Sequence, residues 1–145
     1  EESAAAWIQD LGEPGGFGRR FALGAPLLAR IEGRGFKTAL DVGCGEGRFC
    51  RMLQPEGIRT GRVDPTERLI EYARKRDSRG DDRIGRAEVL ELPDETFDLV
   101  VSYLSLIDVP DIRRAILETW EVLLLSAAAG LMQMSAQEVC PAEPC

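Results

Sequence analysis

The sequence predicts an α/β domain with a mostly parallel sheet covered by helices on both faces. Short apolar runs alternate with helix-periodic segments between residues 38 and 123, which is the order typical of parallel strands joined by helices. A glycine-rich turn joins the first of these strands to the helix after it. The 145 residues are 44% hydrophobic and 30% charged, which is the composition of one ordinary globular domain.

The first predicted strand and the turn after it form the most informative segment of the chain. The strand is a short apolar run with Asp41 in its last turn, and an apolar-periodic helix follows the glycines. The residues are Ala39, Leu40 and Val42 in the strand, Gly43, Gly45 and Gly47 in the turn, and Phe49, Met52 and Leu53 in the helix. Three glycines without side chains let backbone N–H groups approach a ligand, whereas a tight turn alone needs only one.

A second, weaker strand is predicted to end at Asp64. Pro65 suits the first position of the helix that follows, which continues through Leu69, Ile70 and Ala73 to the basic residues 74–76. An acidic residue about twenty positions past a glycine turn is suited to hold a ribose diol by two charge-assisted hydrogen bonds. Capping of the helix is the alternative role for Asp64.

The remaining elements follow in the same order. Residues 83–90 predict a third strand, and residues 97–102 predict a fourth, which is the most apolar. The helix predicted from about Asp111 to Leu123 has an apolar stripe formed by Ile112, Ala115, Ile116, Trp120 and Leu123. A fifth strand is predicted at Gly130–Met134.

Taken in order, these motifs resemble the class I S-adenosylmethionine-dependent methyltransferases. The pattern Asp-x-Gly-x-Gly-x-Gly, starting at Asp41, is the form of their motif I. The dinucleotide-binding pattern Gly-x-Gly-x-x-Gly would need glycine at position 48, where this chain has Arg48. The resemblance covers about Thr38 to Glu121 and implies a Rossmann-like three-layer sandwich with S-adenosylmethionine as the cofactor.

The resemblance also implies a set of cofactor-binding residues. These residues lie, in chain order, in the glycine turn, at the ribose position, in the turn beside the adenine and at the end of the fourth strand. The residues are Asp41, Gly43, Cys44, Gly45, Gly47, Asp64, Pro65, Ala87, Glu88 and Ser102. Glu88 and Ser102 also suit ordinary strand-end residues. The chain departs from the family at Arg86, where an aspartate usually binds the adenine amino group, so the backbone of Ala87 is expected to contact the base.

The predicted organisation is a helical lid at residues 1–36, the S-adenosylmethionine-binding core at 37–134 and a tail at 135–145. Two helices are expected in the lid, at about Ala4–Asp10 and at about Arg19–Ile31, the second with a kink at Pro26. In the resembling family such helices lie over the cofactor. Trp7, Phe17 and Arg20 are therefore lid candidates, with Arg20 suited to the methionyl carboxylate. The alternative is a solvated arginine and two core aromatics.

The chain contains no histidine, which excludes Ser-His-Asp and Cys-His catalysis and histidine metal ligation. The candidates for a general base are Glu46, Glu88, Tyr103 and Asp108, and the identity of any catalytic residue stays open. Methyl transfer from a sulfonium needs mainly in-line positioning and exclusion of water.

The segment after the fourth strand bears on the acceptor. Residues 102–110 lack the Asn/Asp-Pro-Pro-Tyr motif of adenine-N6 and glutamine methyltransferases. They resemble instead the small-molecule group that includes the ubiquinone and menaquinone C-methyltransferases. Leu104, Leu106 and Ile107 would suit an apolar or aromatic acceptor, although such leucines also serve as core residues.

Charge and cysteine content limit the partners and the compartment. The net charge of −7, with basic residues scattered among acids, argues against nucleic acid. The absence of an eighteen-residue apolar run argues against a membrane span, and the first residues lack the basic region of a signal peptide. The four cysteines are too badly spaced for a metal site and are expected to be free thiols, with Cys44 a small filler in the turn. A cytoplasmic protein with a small-molecule acceptor is expected.

The end of the sequence departs from the resembling family. The Leu-x-Pro-Gly-Gly turn is missing after Glu121, and too few residues follow the fifth strand to form strands six and seven. We therefore expect incomplete C-terminal strands, weak turnover and a homo-oligomer formed through an uncovered edge. Two other functions stay open. One is an S-adenosylmethionine-binding module with little or no turnover, and the other is an NAD(P)-dependent oxidoreductase.

Overall fold

The computed structural model describes residues 24–103, 105–123 and 130–134, the side chains of 103 and 130–134 excepted. Their sheet has five strands in the order β3-β2-β1-β4-β5, and every neighbouring pair is parallel. The strands are β1 Thr38–Val42, β2 Arg59–Asp64, β3 Asp81–Ile84, β4 Leu99–Tyr103 and β5 Gly130–Met134. The predicted parallel α/β sheet is confirmed.

In the described part of the chain, four α-helices cover the sheet: α1 Ala25–Ile31, α2 Arg48–Leu53, α3 Glu67–Arg76 and α4 Ile112–Val122. The strand order reverses at β1, because β2 and β3 extend to one side of β1 whereas β4 and β5 extend to the other. Since parallel crossovers are right-handed, the helices before and after this reversal lie on opposite faces of the sheet.

Each face of the sheet has its own hydrophobic core. The core on the α1 and α2 face contains Leu27, Ile31, Phe36, Ala39, Phe49, Leu53, Ile58, Leu99 and Val101. The core on the α4 face contains Leu40, Val42, Val63, Ala87, Leu90, Phe97, Val100, Ala115, Val122 and Leu123. Burial on both faces explains why β1 and β4 are nearly continuous apolar runs.

The third strand differs from the prediction. It covers Asp81–Ile84 rather than residues 83–90, and residues 85–90 form a turn closed by an antiparallel bridge between Arg86 and Val89. The strand lies at the edge of the described sheet and three of its four residues are exposed. An edge strand whose residues are mostly exposed needs no apolar run, so the apolar pattern misplaced it.

The buried face of α4 also differs from the prediction. Of the predicted stripe, Ala115 and Leu123 are buried, but Ile112, Ile116 and Trp120 are exposed. The helix turns a different set of side chains toward the sheet: Ala115, Glu118, Thr119 and Val122. Hydrogen bonds from Thr119 Oγ1 to the Ala115 carbonyl and from Leu90 N to Glu118 satisfy the polar members of this face.

Two helix boundaries refine the predictions. Helix α3 begins at Glu67 with Thr66 at its N-cap, so Pro65 precedes the helix instead of occupying its first position. Helix α1 carries Pro26 in its first turn, where proline costs no hydrogen bond. The earlier part of the helix predicted from Arg19 lies outside the described residues.

The fifth strand is confirmed at Gly130–Met134, where it pairs with β4. The first predicted helix, the lid candidates and Leu104 lie outside the described residues, as do residues 135–145, which bear on the incomplete C-terminal strands. The division into lid, core and tail stays a prediction. Helix α1 falls in the predicted lid. Its Leu27 and Ile31 pack in the hydrophobic core on the α1 and α2 face of the sheet.

Candidate functional site

The predicted site residues that the structure describes lie at the carboxyl edge of the sheet. The turns after β1, β2 and β3 contain Gly43–Gly47, Pro65 and residues 85–90, while Asp64 and Ser102 lie in the last residues of β2 and β4. The strand order reverses between β1 and β4, so a crevice is expected at this edge. Ligands of open parallel sheets bind in such a crevice.

The glycine turn has a backbone that other residues rarely adopt. Gly43, Gly45 and Gly47 have φ angles of +78°, +56° and +72°. A side chain in this left-handed region is strained, which explains the three glycines without reference to a ligand. The N–H groups of Gly43 and Cys44 both donate to the Val63 carbonyl, at 2.8 and 3.1 Å, and attach the turn to the end of β2.

The amides of the glycine turn do not form an anion cradle. The N–H of Gly45 donates to Asp64 Oδ2 at 2.9 Å, and the N–H of Gly47 donates to the Cys44 carbonyl at 3.0 Å. With those of Gly43 and Cys44, four amides of the turn are directed at protein acceptors. A dinucleotide pyrophosphate needs such donors for itself, so the geometry disfavours NAD(P). The turn offers close backbone approach instead.

Asp64 is fastened at both of its carboxylate oxygens and is only 6% exposed. Oδ2 accepts from the N–H of Gly45 at 2.9 Å, and Oδ1 accepts from the N–H of Thr66 at 2.8 Å. These bonds hold the carboxylate between the glycine turn and the turn before α3. Each oxygen keeps a further lone pair, so the same side chain can accept from a ligand hydroxyl.

Asp41 is a buried acid in β1, beside the glycine turn. Burial raises its pKa to about 7, with a further increase from Asp64, while a hydrogen bond from Cys50 and the positive charge of Arg62 act in the opposite direction. The thiol of Cys50 donates to Oδ2 at 3.6 Å. Oδ1 accepts no hydrogen bond from any described residue. Asp41 therefore presents an unpartnered acceptor beneath the turn.

A row of buried charges crosses three strands on the α2 and α3 face of the sheet. Asp41 of β1 is in register with Arg62 of β2, which is in register with Asp82 of β3. The Arg62 side chain is fully buried, with Nη2 2.7 Å from Asp77 Oδ2 and Nε 3.1 Å from Asp82 Oδ1. A Cβ on Gly47 would lie 2.7 Å from Arg62 Nη1, so the absent side chain makes room for the guanidinium.

The pKa values of the two aspartates beside Arg62 are shifted in opposite directions. Burial raises the pKa of Asp82, and Arg62 only partly offsets it. Burial also favours a higher pKa for Asp77, but hydrogen bonds from Gln54 and Arg79, with the charge of Arg62, lower it to about 2. This network was not predicted from the sequence, because the acids lie 15 and 20 positions after Arg62 and only the fold brings them together.

Two serines fasten the end of β4 to the glycine turn. The hydroxyl of Ser105 donates to the Val42 carbonyl at 2.6 Å, and Ser102 Oγ lies 2.7 Å from Ser105 Oγ. A Cβ on Gly43 would lie 2.2 Å from the Ser105 Cβ. Ser102 was predicted as a site residue and is buried here, whereas Ser105 was missed, since nothing in its sequence context distinguishes it.

The turn after β3 carries the residues predicted to lie beside adenine. Ala87 is buried, and Glu88 pairs with the exposed Arg86 through Oε1 and Nη2 at 3.0 Å. A hydrogen bond from Arg86 lowers the pKa of Glu88. Arg86 occupies the position where the resembling family has an aspartate, and its guanidinium is paired with Glu88 two residues later.

None of the predicted general-base candidates whose side chains the structure describes has the arrangement of an activated base. Glu46 is paired with Arg51, Glu88 with Arg86, and Asp108 is exposed in the 3₁₀ turn Leu106–Asp108. The Tyr103 side chain and Arg20 lie outside the described residues. Burial raises the pKa of the Cys44 thiol well above its usual range, which suits a packing residue rather than a nucleophile.

Within the described ranges, no helix has the length and apolar character needed to cross a membrane. In the same residues, no group of three or more cysteine, aspartate or glutamate side chains is arranged to hold a metal ion.

Comparison with known proteins agrees with this geometry. A family model described as a methyltransferase domain matches residues 40–125. The chain is 29% identical over 139 residues to malonyl-[acyl-carrier protein] O-methyltransferase of Serratia marcescens, covering 91% of this chain and 50% of that protein. It is 32% identical over 102 residues to demethylmenaquinone methyltransferase of a Roseiflexus strain, covering 67% and 42%.

A relative with a different activity in its name is also similar. The mitochondrial arginine-hydroxylase NDUFAF5 of Rattus norvegicus is 39% identical over 87 residues, covering 57% of this chain and 24% of that protein. Among solved structures, a SAM-dependent methyltransferase from Thermotoga maritima is 31% identical with a TM-score of 0.59, covering 74% of this chain and 48% of that one. The chain therefore spans about a quarter to a half of the length of these relatives.

Proposed function

This chain belongs to the methyltransferase-domain family of class I S-adenosylmethionine-dependent enzymes, and from that membership we propose that it binds S-adenosylmethionine and transfers a methyl group to a small molecule. The observation that carries the proposal is the contact between Asp64 and the glycine turn. It joins the two sequence features from which the cofactor site is inferred, and it fixes the carboxylate at the edge where such sheets bind ligands.

The residues present fit this cofactor. Asp64 retains lone pairs for the ribose hydroxyls, and Asp41 places a second carboxylate directly before the glycine turn. S-adenosylmethionine carries no phosphate, so a glycine turn whose amides bond to protein acceptors can still accommodate it. A nicotinamide dinucleotide would lose its pyrophosphate contacts at the same turn.

The order of the strands suggests how the cofactor lies along the edge. Asp64 and Pro65 at the end of β2 would face the ribose, which leaves the turn after β3 for the adenine and the β1–β4 junction for the methionyl part. Because Arg86 is paired with Glu88, we assign the adenine edge to the backbone of Ala87. The assignment of Arg20 to the methionyl carboxylate rests on the sequence alone.

The proposed chemistry requires little from acids or bases. When bound, S-adenosylmethionine supplies a methyl group on a sulfonium, which leaves as a neutral thioether. The protein's contribution is to position the acceptor in line with the carbon–sulfur bond and to exclude water. The serine pair beside Gly43 supports this role by fixing the end of β4 against the glycine turn.

We propose an apolar or aromatic small molecule as the acceptor. Ile107, in the turn that follows β4, is 80% exposed. An exposed apolar side chain at a site entrance suits an apolar ligand. The name of the Roseiflexus relative specifies a demethylmenaquinone, which belongs to this class, whereas the name of the Serratia relative specifies a malonyl group on an acyl-carrier protein, which does not.

A cofactor-binding module with little turnover is the second candidate. The rat relative is named as a hydroxylase, so similarity to such proteins does not by itself specify methyl transfer. The predictions of a cytoplasmic location, of a homo-oligomer and of no nucleic-acid partner remain to be tested. The net charge of −7 supports the last of these.

Calorimetric titration tests the proposed cofactor. S-adenosylmethionine and S-adenosylhomocysteine should bind, while NAD⁺ at the same concentrations should give no heat of binding. A methyl-transfer assay with labelled S-adenosylmethionine and quinone-like or carboxylic acceptors then separates turnover from binding alone. Binding of NAD⁺ in place of both S-adenosyl compounds would contradict the proposal.

A further inference from the structure

Glu118 is a buried carboxylate that the proposed mechanism does not use. It lies in the middle of α4 and is 7% exposed, on the side of the helix that packs against the sheet. A buried charge is costly unless it is paired and hydrogen-bonded, so its contacts indicate what it holds.

The two oxygens of Glu118 have different partners. Oε2 accepts a hydrogen bond from the backbone N–H of Leu90 at 2.8 Å, across 28 positions of sequence. Oε1 pairs with the guanidinium of Arg114, one turn earlier in α4. Leu90 is itself buried, so water could not readily replace this acceptor.

The bond to Leu90 closes one end of the turn formed by residues 85–90. At the other end, the N–H of Gly85 donates to the carbonyl of Asp64 at 3.1 Å. Within the turn, the N–H of Val89 donates to the Arg86 carbonyl at 3.1 Å. The turn is therefore fixed between the proposed ribose residue at its start and Glu118 of α4 at its end.

We infer that Glu118 is a positioning residue for adenine, holding the backbone of the 85–90 turn in register with the bound base; this inference rests on the proposed function. Because Arg86 is turned to Glu88, recognition of the adenine edge falls to backbone groups at Ala87. Hydrogen bonds from backbone groups depend steeply on distance and angle, so they require a turn that does not shift.

The test compares the affinities of S-adenosylhomocysteine and S-inosylhomocysteine, in which an oxygen replaces the adenine amino group. The wild type should prefer the adenine compound. Glu118→Ala should reduce that preference by about fivefold, the usual net worth of one hydrogen bond between neutral groups. Glu118→Gln should keep it within about threefold, because the amide oxygen can still accept from Leu90. The matched control is Arg114→Gln, which loses the surface pair and keeps the Leu90 bond.

A folding measurement accompanies the comparison. Amide hydrogen exchange at Leu90 should accelerate in Glu118→Ala and stay near wild type in Arg114→Gln. If Glu118→Ala does not fold, Glu118→Asp serves instead, since the shorter side chain withdraws the acceptor. An unchanged preference between the two compounds in a folded variant with accelerated Leu90 exchange would overturn the inference. Failure of the wild type to bind S-adenosylhomocysteine would instead contradict the proposed function.

Discussion

At the scale of single residues, the burial of Asp41 has a consequence for stability that can be measured without any ligand. Its pKa rises from about 3.8 to about 7 on folding, mainly because the carboxyl is buried. Between these values the folded protein binds more protons at Asp41 than the unfolded chain does. The contribution of Asp41 therefore favours folding at low pH and is lost as the pH rises toward 7.

We predict that Asp41→Asn becomes more stable relative to the wild type as the pH rises from 5 to 8. A shift of about three pKa units corresponds in total to a free-energy difference on the order of 4 kcal/mol, of which roughly 2–3 kcal/mol develops between pH 5 and pH 8, and the uncharged amide would escape this cost. Urea denaturation at several pH values measures this difference. Asp108→Asn, an exposed change, is the control and should follow the wild type. A difference between Asp41→Asn and wild type that does not change with pH would refute the prediction.

At the scale of elements, helix α4 shows why periodicity alone selects the wrong face. Ile112, Ile116 and Trp120 continue an apolar stripe, yet Trp120 is 54% exposed and the polar Glu118 and Thr119 are buried. Glu118 is accommodated by the N–H of Leu90 and Thr119 by the carbonyl of Ala115. A helix with apolar residues on more than one side can be oriented only by its tertiary contacts.

We predict that Ile116→Gln changes the free energy of unfolding by less than about 1 kcal/mol, because an exposed side chain loses little burial. Leu123→Ala, at the buried end of the same segment, should cost about 2–5 kcal/mol. Chemical denaturation of both variants measures the two changes. Equal costs would mean that Ile116 is as buried as Leu123 in solution.

The difference between local sequence patterns and tertiary contacts explains what the sequence could and could not predict. The strands β1 and β4 and the glycine turn were predictable, because buried parallel strands are apolar and glycines mark left-handed turns. Strands β2 and β5 were also predicted, although β2 contains mostly polar residues. The placement of β3 failed because an edge strand carries no apolar run. The row from Asp41 through Arg62 to Asp82 and the contact of Ser105 with Val42 depend on strand register and on long-range packing. No local pattern specifies these contacts.

At the scale of the whole molecule, two carboxylates fasten opposite edges of the sheet by the same chemistry. Asp64 accepts from two backbone amides at the carboxyl edge, Gly45 and Thr66. Asp98 accepts from the amides of Lys37 and Thr38 at the amino edge, at 2.8 and 2.9 Å. Only the carboxyl edge contains the proposed cofactor site. A comparison of Asp64 with Asp98 therefore distinguishes a cofactor-binding role from a purely structural one.

The most direct test of the account is the affinity for S-adenosylhomocysteine of Asp64→Asn and Asp98→Asn, measured by calorimetry on variants shown to be folded. Asp64→Asn should weaken binding by about ten- to a hundredfold, the worth of hydrogen bonds to a charged group. Asp98→Asn should stay within about threefold of the wild type, although it loses the same kind of backbone contacts. Unchanged affinity in Asp64→Asn, or an equal loss in both variants, would contradict a cofactor site at the ends of β1 and β2.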